Sequence, residues 1–319
     1  MQARLHPDHA AVTEADHAWL RAEVPFADRH SREAFLRERT PRWACWCYPT
    51  AGRTRIDGIS RLYTLLFALD DRAVHDWDTY DGFLRMLDGT GDDTGPYAAA
   101  YKDVWSELTG TMPAGVRARQ LRTQQRWAEA LAMENAIRAT GRTVHPDVCF
   151  PLRRISTGGE TILVPIEYGL GIDLTPLLDE DADLAQLWQV AGAHLVLVND
   201  LFSMRKEVVS GDGMNLMLSL MHHQDLDAQA AVDILVGRIR DAHYAYTRTS
   251  DLLRTRYRHH PLGDTVHRYL EAVGLMMAGN LAWHCESTRY HGPAHTWDGR
   301  PPTALVLHSD RTEFEYAQE

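Results

Sequence analysis

Asn199, Ser203 and Glu207 stand four residues apart within VNDLFSMRKE (198–207). On a helix of 3.6 residues per turn this spacing stacks three side chains along one face, drifting about 40° per step. An amide oxygen, a hydroxyl and a carboxylate aimed the same way form a cage for a hard divalent cation. Magnesium suits them, because it prefers oxygen and keeps waters and phosphate oxygens in its shell. Lys206 puts a positive point charge beside that cage, where a metal-bridged phosphate would meet it. An ordinary polar helix face fits the same three residues, so the rest of the chain has to decide.

A second acidic group lies in FALDDRAVHD (67–76). Ile59, Leu62, Leu65, Leu66 and Leu69 recur at helical intervals, so Asp70 and Asp71 end a buried helix. Carboxylates are costly there unless paired, and bound metal offsets that cost. With the two helices facing each other across a bundle, metal ions between them would grip a diphosphate. Arg153 and the Arg289-Tyr290 pair add guanidinium forks and a phenol suited to phosphate oxygens. Arg153 precedes Ser156-Thr157-Gly158-Gly159, where a helix is interrupted.

These residues need helices to position them, and the apolar spacing supplies little else. Helical periodicity runs over 12–39, 56–70, 97–140, 182–207, 214–258 and 262–290, with Pro41 ending the first run and TGDDTGP (90–96) reading as a loop. PRWACWCYPTA (41–51) reads as core. No run of alternating strands, internal repeat or low-complexity tract interrupts this. The expectation is an all-α single domain over 1–319, roughly ten helices bundled around a central cavity, with 291–319 as a tail or flap.

Composition narrows the partners. The 319 residues carry a formal charge of −11, which argues against nucleic acid or an anionic membrane surface. That charge would also repel a phosphorylated substrate, a conflict that bound metal ions resolve. No apolar stretch approaches the roughly 20 residues of a membrane span, and the N-terminus lacks a signal-peptide pattern. Cys45, Cys47, Cys149 and Cys285 form no CxxC pair and read as reduced thiols, so a cytoplasmic location is expected. His222-His223 and His259-His260 read as solvated surface, since neighbours on a helix point apart.

In this order of motifs, and in total length, the chain resembles the class I terpene synthases of bacteria. The resemblance spans most of the chain: the aspartate-rich motif at 70–76, an arginine before Thr-Gly-Gly, NDLFSMRKE at 199–207, and GNLAWHCESTRY at 279–290. NDxxSxxKE is its most specific part. The family implies a helical class I terpenoid synthase fold that binds a linear prenyl diphosphate with three magnesium ions. Carried over, the resemblance makes Asp70 a metal ligand and pairs Asp71 with Arg289 on closure. It gives a further magnesium to Asn199, Ser203 and Glu207, and the diphosphate to Lys206, Arg289 and Tyr290. The diphosphate sensor is Arg153 or Arg154. A spacing of 46 residues before Asn199 selects Arg153, whereas a glycine four positions after the sensor selects Arg154, through Gly158. The last acid of the first motif also departs from the family, coming late at Asp76, which is left out of the ligand set.

The chemistry follows from charge. Divalent ions with Arg and Lys donors stabilise a departing diphosphate, a closed pocket keeps water from the allylic cation, and aromatic faces attract the cation without attacking it. Phe67 and Tyr63 lie three and seven residues before Asp70, on its side of the helix, and Trp283 leads to Arg289. These three are the expected cavity walls, although plain core packing would use them as readily. Farnesyl diphosphate is the favoured substrate and a sesquiterpene the product, with geranylgeranyl diphosphate and a diterpene as the alternative. A chain-elongating prenyltransferase would show a second aspartate-rich motif where Asn-Ser-Glu stands. A non-catalytic isoprenoid-binding protein draws support only from the irregular first motif. The family also admits a homodimer.

Overall fold

The computed structural model describes residues 2–73, 77–88, 95, 97–300, 302 and 304–305, which form fifteen α-helices and no strand. They run α1 (His9–Glu23), α2 (Arg29–Glu38), α3 (Thr40–Cys47), α4 (Arg53–Ala73), α5 (Trp77–Asp88), α6 (Ala98–Thr111), α7 (Ala114–Arg138), α8 (Pro146–Ser156), α9 (Pro165–Leu170), α10 (Thr175–Glu180), α11 (Ala182–Ser210), α12 (Leu216–Gln224), α13 (Ala228–Arg256), α14 (Gly263–Glu286) and α15 (Thr288–His291). Asp76 and most of the 90–96 loop lie outside the described residues. Among those described, no helix is long and apolar enough to cross a membrane.

Prolines and caps divide the longer periodic runs. The 97–140 run is two helices because Pro113, which has no N–H to donate, caps α7. The 12–39 run is also two, since Asp28 and Ser31 form a reciprocal capping box that starts α2 afresh. Pro41 begins α3 rather than ending a helix; it sits in the first turn, where a missing N–H costs nothing. Asp181 caps α11 by accepting from the Asp183 and Leu184 amides, and Asn215 caps α12. His222, His223, His259 and His260 are exposed, and the four cysteines are buried free thiols. Of the C-terminal segment, Trp297 packs edge-on against Trp46, with ring centroids 6.0 Å apart.

One apolar core links nearly all of these helices. Helix α11 packs along α13 and α14, and α3 is wedged between α4 and α14. The α3–α14 crossing depends on Gly279, where a Cβ would fall 2.0 Å from the Trp46 carbonyl oxygen. That atom is backbone, so relief requires α3 to move as a unit. Gly279→Ala is expected to cost about 1–3 kcal/mol or more, as overpacking does, read as a lowered Tm. It would also displace Trp43, whose indole N–H donates to Asn280 Oδ1 at 3.0 Å across this crossing.

Candidate active site

Helices α4, α7, α8, α11 and α14 surround a cavity of about 890 Å³, within the usual range for ligand pockets. Tyr63, Leu66, Phe67 and Asp70 line it from α4, at the one-face spacing of a helix. Asn199, Ser203, Lys206 and Glu207 line it from α11. Its inner walls are apolar and aromatic, including Trp43, Tyr63, Phe67, Trp127, Leu131 and Leu195. Its mouth is charged.

The three α11 oxygens converge on shared partners. Arg153 Nη2 donates to Asn199 Oδ1 at 3.1 Å and lies 3.7 Å from Glu207 Oε1. Asn215 Nδ2 donates to Glu207 Oε2 at 2.6 Å and approaches Ser203 Oγ at 3.5 Å. The Asn199 amide is oriented from its other end. His284 Nδ1 is 2.7 Å from the Asn280 carbonyl and must donate to it, which leaves Nε2 as an acceptor 3.5 Å from Asn199 Nδ2. Burial keeps that imidazole neutral, holding its pKa down to about 3. The Tyr290 hydroxyl accepts from the same Nδ2 at 3.3 Å, and its ring stacks on His284. Asn199 therefore turns its oxygen, not its nitrogen, toward Ser203 and Glu207.

Across the mouth, Asp71 is gripped by Arg289 at 2.6 and 2.7 Å and by Lys206 at 2.6 Å. Burial works against its ionisation, but the two cations outweigh burial and hold its carboxyl well below the usual range. Asp70 is open to the cavity yet ringed by protein, and this desolvation raises its pKa despite Lys206 nearby. Burial likewise pushes Glu207 up to about 7 against the pull of Arg153. Carboxyls pushed up in this way gain from an added cation.

The donor set fits magnesium. Every candidate ligand is oxygen, and the cavity lining holds six carboxylates (Glu38, Asp70, Asp71, Glu134, Glu207, Asp212) against four cationic side chains (Arg138, Arg153, Lys206, Arg289). This surplus of negative charge is one that bound divalent cations would offset.

The structure separates the two neighbouring arginines. Arg153 is 6% exposed, lines the cavity and donates through Nε and Nη2 to Asp200 Oδ1 at 3.0 and 2.6 Å. Arg154 turns away to Gln189 on the exposed side of α11. Helix α8 stops at Ser156, and Gly158 takes φ +79°, a left-handed conformation suited to glycine. Ser156, Thr157 and Gly158 all face the cavity, so the glycine of the interruption and Arg153 belong to one site. Trp283 is buried behind the wall rather than lining it, packed on Phe67 at 5.5 Å and on Tyr290 at 5.6 Å.

Several site residues, one of them inside the NDxxSxxKE motif, received no role from the sequence. Asp200, fully buried, takes the Arg153 fork and accepts from the Leu216 amide at 2.9 Å. Asn215 announces itself only as a polar residue before LMLSL, an N-cap signal, yet its side chain braces Glu207. Glu134 and Arg138 come from α7, where Arg138 forks onto Asp212 at 2.9 Å. No spacing rule ties α7 to the motifs.

Fold and site together define a class I terpene synthase, an all-α enzyme with a charged mouth over an apolar, aromatic chamber. The profile of terpene synthase family 2, C-terminal metal binding, matches residues 62–243, and the chain belongs to that family. It is 26% identical over 288 residues to microbial terpene synthase-like protein 13 of Selaginella moellendorffii, covering 84% of this chain and 79% of the relative. Sesquiterpene synthase 1 of Postia placenta is 26% identical, with 86% of this chain and 82% of the relative covered. Among solved structures, linalool/nerolidol synthase of Streptomyces clavuligerus, in complex with 2-fluorogeranyl diphosphate, superposes with a TM-score of 0.79 at 20% identity, over 88% of this chain and 100% of the other.

Proposed function

We propose that the chain, as one helical domain of the bacterial kind, ionises farnesyl diphosphate in a magnesium-dependent reaction and cyclises the cation to a sesquiterpene. The observation that carries this reading is the convergence of Asn199, Ser203 and Glu207 at the mouth of an aromatic cavity that Asp70 and Asp71 also line. Asp70 on one side and Asn199, Ser203 and Glu207 on the other would hold the magnesium ions, three by family resemblance, whose Lewis acidity stabilises the departing diphosphate. Arg153, Lys206, Arg289 and Tyr290 donate hydrogen bonds to its oxygens, which matter most as negative charge develops on them. The hydrocarbon chain lies in the cavity, where Tyr63, Phe67 and their aromatic neighbours attract the cation and exclude water. The relative from Postia placenta that is named a sesquiterpene synthase supports the C15 choice.

The test is incubation with C10, C15 and C20 prenyl diphosphates and magnesium, with products separated by gas chromatography–mass spectrometry. Farnesyl diphosphate is expected to give a cyclic hydrocarbon or alcohol at the highest kcat/KM, and EDTA to stop diphosphate release. Cyclic products from the C20 substrate alone would make the enzyme a diterpene synthase. A requirement for isopentenyl diphosphate would make it a chain-elongating enzyme, and binding without diphosphate release would leave it a carrier.

A further inference from the structure

Helix α2 carries a charged contact that no step of the proposed reaction uses. Its Ser31, Ala34, Phe35 and Glu38 line the cavity, a spacing that puts them on one helix face. Glu38 Oε2 accepts from Arg289 Nη1 at 2.7 Å, on the same guanidinium that forks onto Asp71. Two more bonds fasten this helix end to the segment before Arg289. Ser287 Oγ donates to the Glu38 carbonyl at 3.3 Å, and Thr288 Oγ1 to the Arg37 carbonyl at 3.1 Å. Just before α2, the Tyr97 hydroxyl donates to the Pro25 carbonyl at 3.1 Å. Helix α2 is thus one wall of the chamber, pinned to the diphosphate end of the site.

A carboxylate is a poor choice for packing at position 38. Burial pushes its pKa up; Arg289 opposes this, but Asp71 adds like charge. Buried ion pairs are weak contributors to stability, because desolvation consumes most of the attraction. Arg289 does not need Glu38 for neutralisation either, since Asp71 already takes both ends of its fork. With Glu38, however, the mouth holds a balanced quartet of Glu38 and Asp71 against Lys206 and Arg289.

We propose that Glu38 is a positioning residue that couples the α2 wall to Arg289, so that the hydrocarbon chamber is shut against water whenever Arg289 is engaged. The inference rests on the function proposed above. Its chemical consequence concerns the fate of the cation. Where α2 is loose, a water oxygen bonds to the allylic cation and the surplus proton passes to solvent, giving a linear alcohol in place of the enclosed product.

Glu38→Gln keeps the size and polarity of the side chain and removes its charge. In the wild-type enzyme, magnesium with inorganic pyrophosphate is expected to slow amide hydrogen exchange in residues 29–38. In Glu38→Gln that protection falls about tenfold, the worth of one charge-assisted hydrogen bond. Linear alcohols rise relative to cyclised product, while each turnover still releases one diphosphate. Thr288→Val, which removes only the bond to the Arg37 carbonyl, shifts both readouts the same way by less, and covers the case in which Glu38→Gln does not fold. Unchanged α2 protection and product partition in a wild-type-like Glu38→Gln would overturn the coupling while leaving the enzyme assignment intact. So would a lower Tm with a uniform loss of rate and no change in partition, the signature of a merely structural residue. Absence of diphosphate release from the wild-type enzyme would sink both readings together.

Discussion

Asn199→Ala and Glu207→Ala each lower diphosphate release from farnesyl diphosphate by at least about a thousandfold, the upper end of what one preorganised electrostatic group contributes. Circular dichroism and Tm stay close to wild type. The two halves of this expectation have separate causes. Function fails because, on the proposed reading, the three α11 oxygens hold one magnesium ion in the near-ideal octahedral geometry it demands, and losing either one leaves that geometry to mobile water. The fold survives because neither side chain is the sole partner of a buried charge. Without Glu207, Arg153 keeps its contacts with Asp200, and Asn215 Nδ2 still donates to the Asp200 carbonyl at 2.8 Å. Without Asn199, His284 retains its bond to the Asn280 carbonyl. Isothermal titration with magnesium and pyrophosphate is the sharper measurement, because it reads loss of the proposed metal site directly. Wild-type turnover in either variant would break the assignment of these residues.

Arg153→Gln has the second largest effect, and it strikes folding and function together. Asp200 is fully buried, and Arg153 supplies two of its hydrogen bonds; Glu134 lies 3.6 Å from the same guanidinium. Removing one partner from such a buried cluster strands the other charges and costs about 3–5 kcal/mol. Arg153→Lys separates the two roles. It restores the charge and much of the Tm, but a point charge cannot reproduce the fork between Asp200 and Asn199, so turnover stays depressed. Arg154→Gln is the control: its side chain meets Gln189 outside the cavity, so kcat/KM is expected to remain within about twofold, as for surface changes generally. A dead Arg154→Gln beside an active Arg153→Lys would exchange their roles.

Much of this candidate site was legible because its proposed ligands are local. Asn199, Ser203 and Glu207 share one helix, as do Tyr63, Phe67 and Asp70, and helical periodicity fixes which side chains share a face before any packing is known. Apolar spacing likewise marked the long helices, although proline and capping chemistry cut three of the runs (12–39, 97–140 and 214–258) into separate elements. The Asp71–Arg289 pair came from family resemblance and is present as a contact of 2.6 Å.

Periodicity says nothing about what stands across a cavity, and every remaining assignment is of that kind. Arg153 and Arg154 are adjacent, so about 100° of helix rotation separates them, and only the packing of α8 against α11 shows which one faces inward. Trp283 lies in the segment leading to Arg289, yet Phe67 and Tyr290 stand between it and the cavity. Asp200, Asn215, Glu134 and Glu38 became site residues through partners between 8 and 251 positions away in sequence. The chain alone determined which oxygens point together along a helix, because that is set by 3.6 residues per turn. Which charges meet those oxygens was decided by tertiary packing, because a buried carboxylate or guanidinium is stable only where the fold brings it a partner.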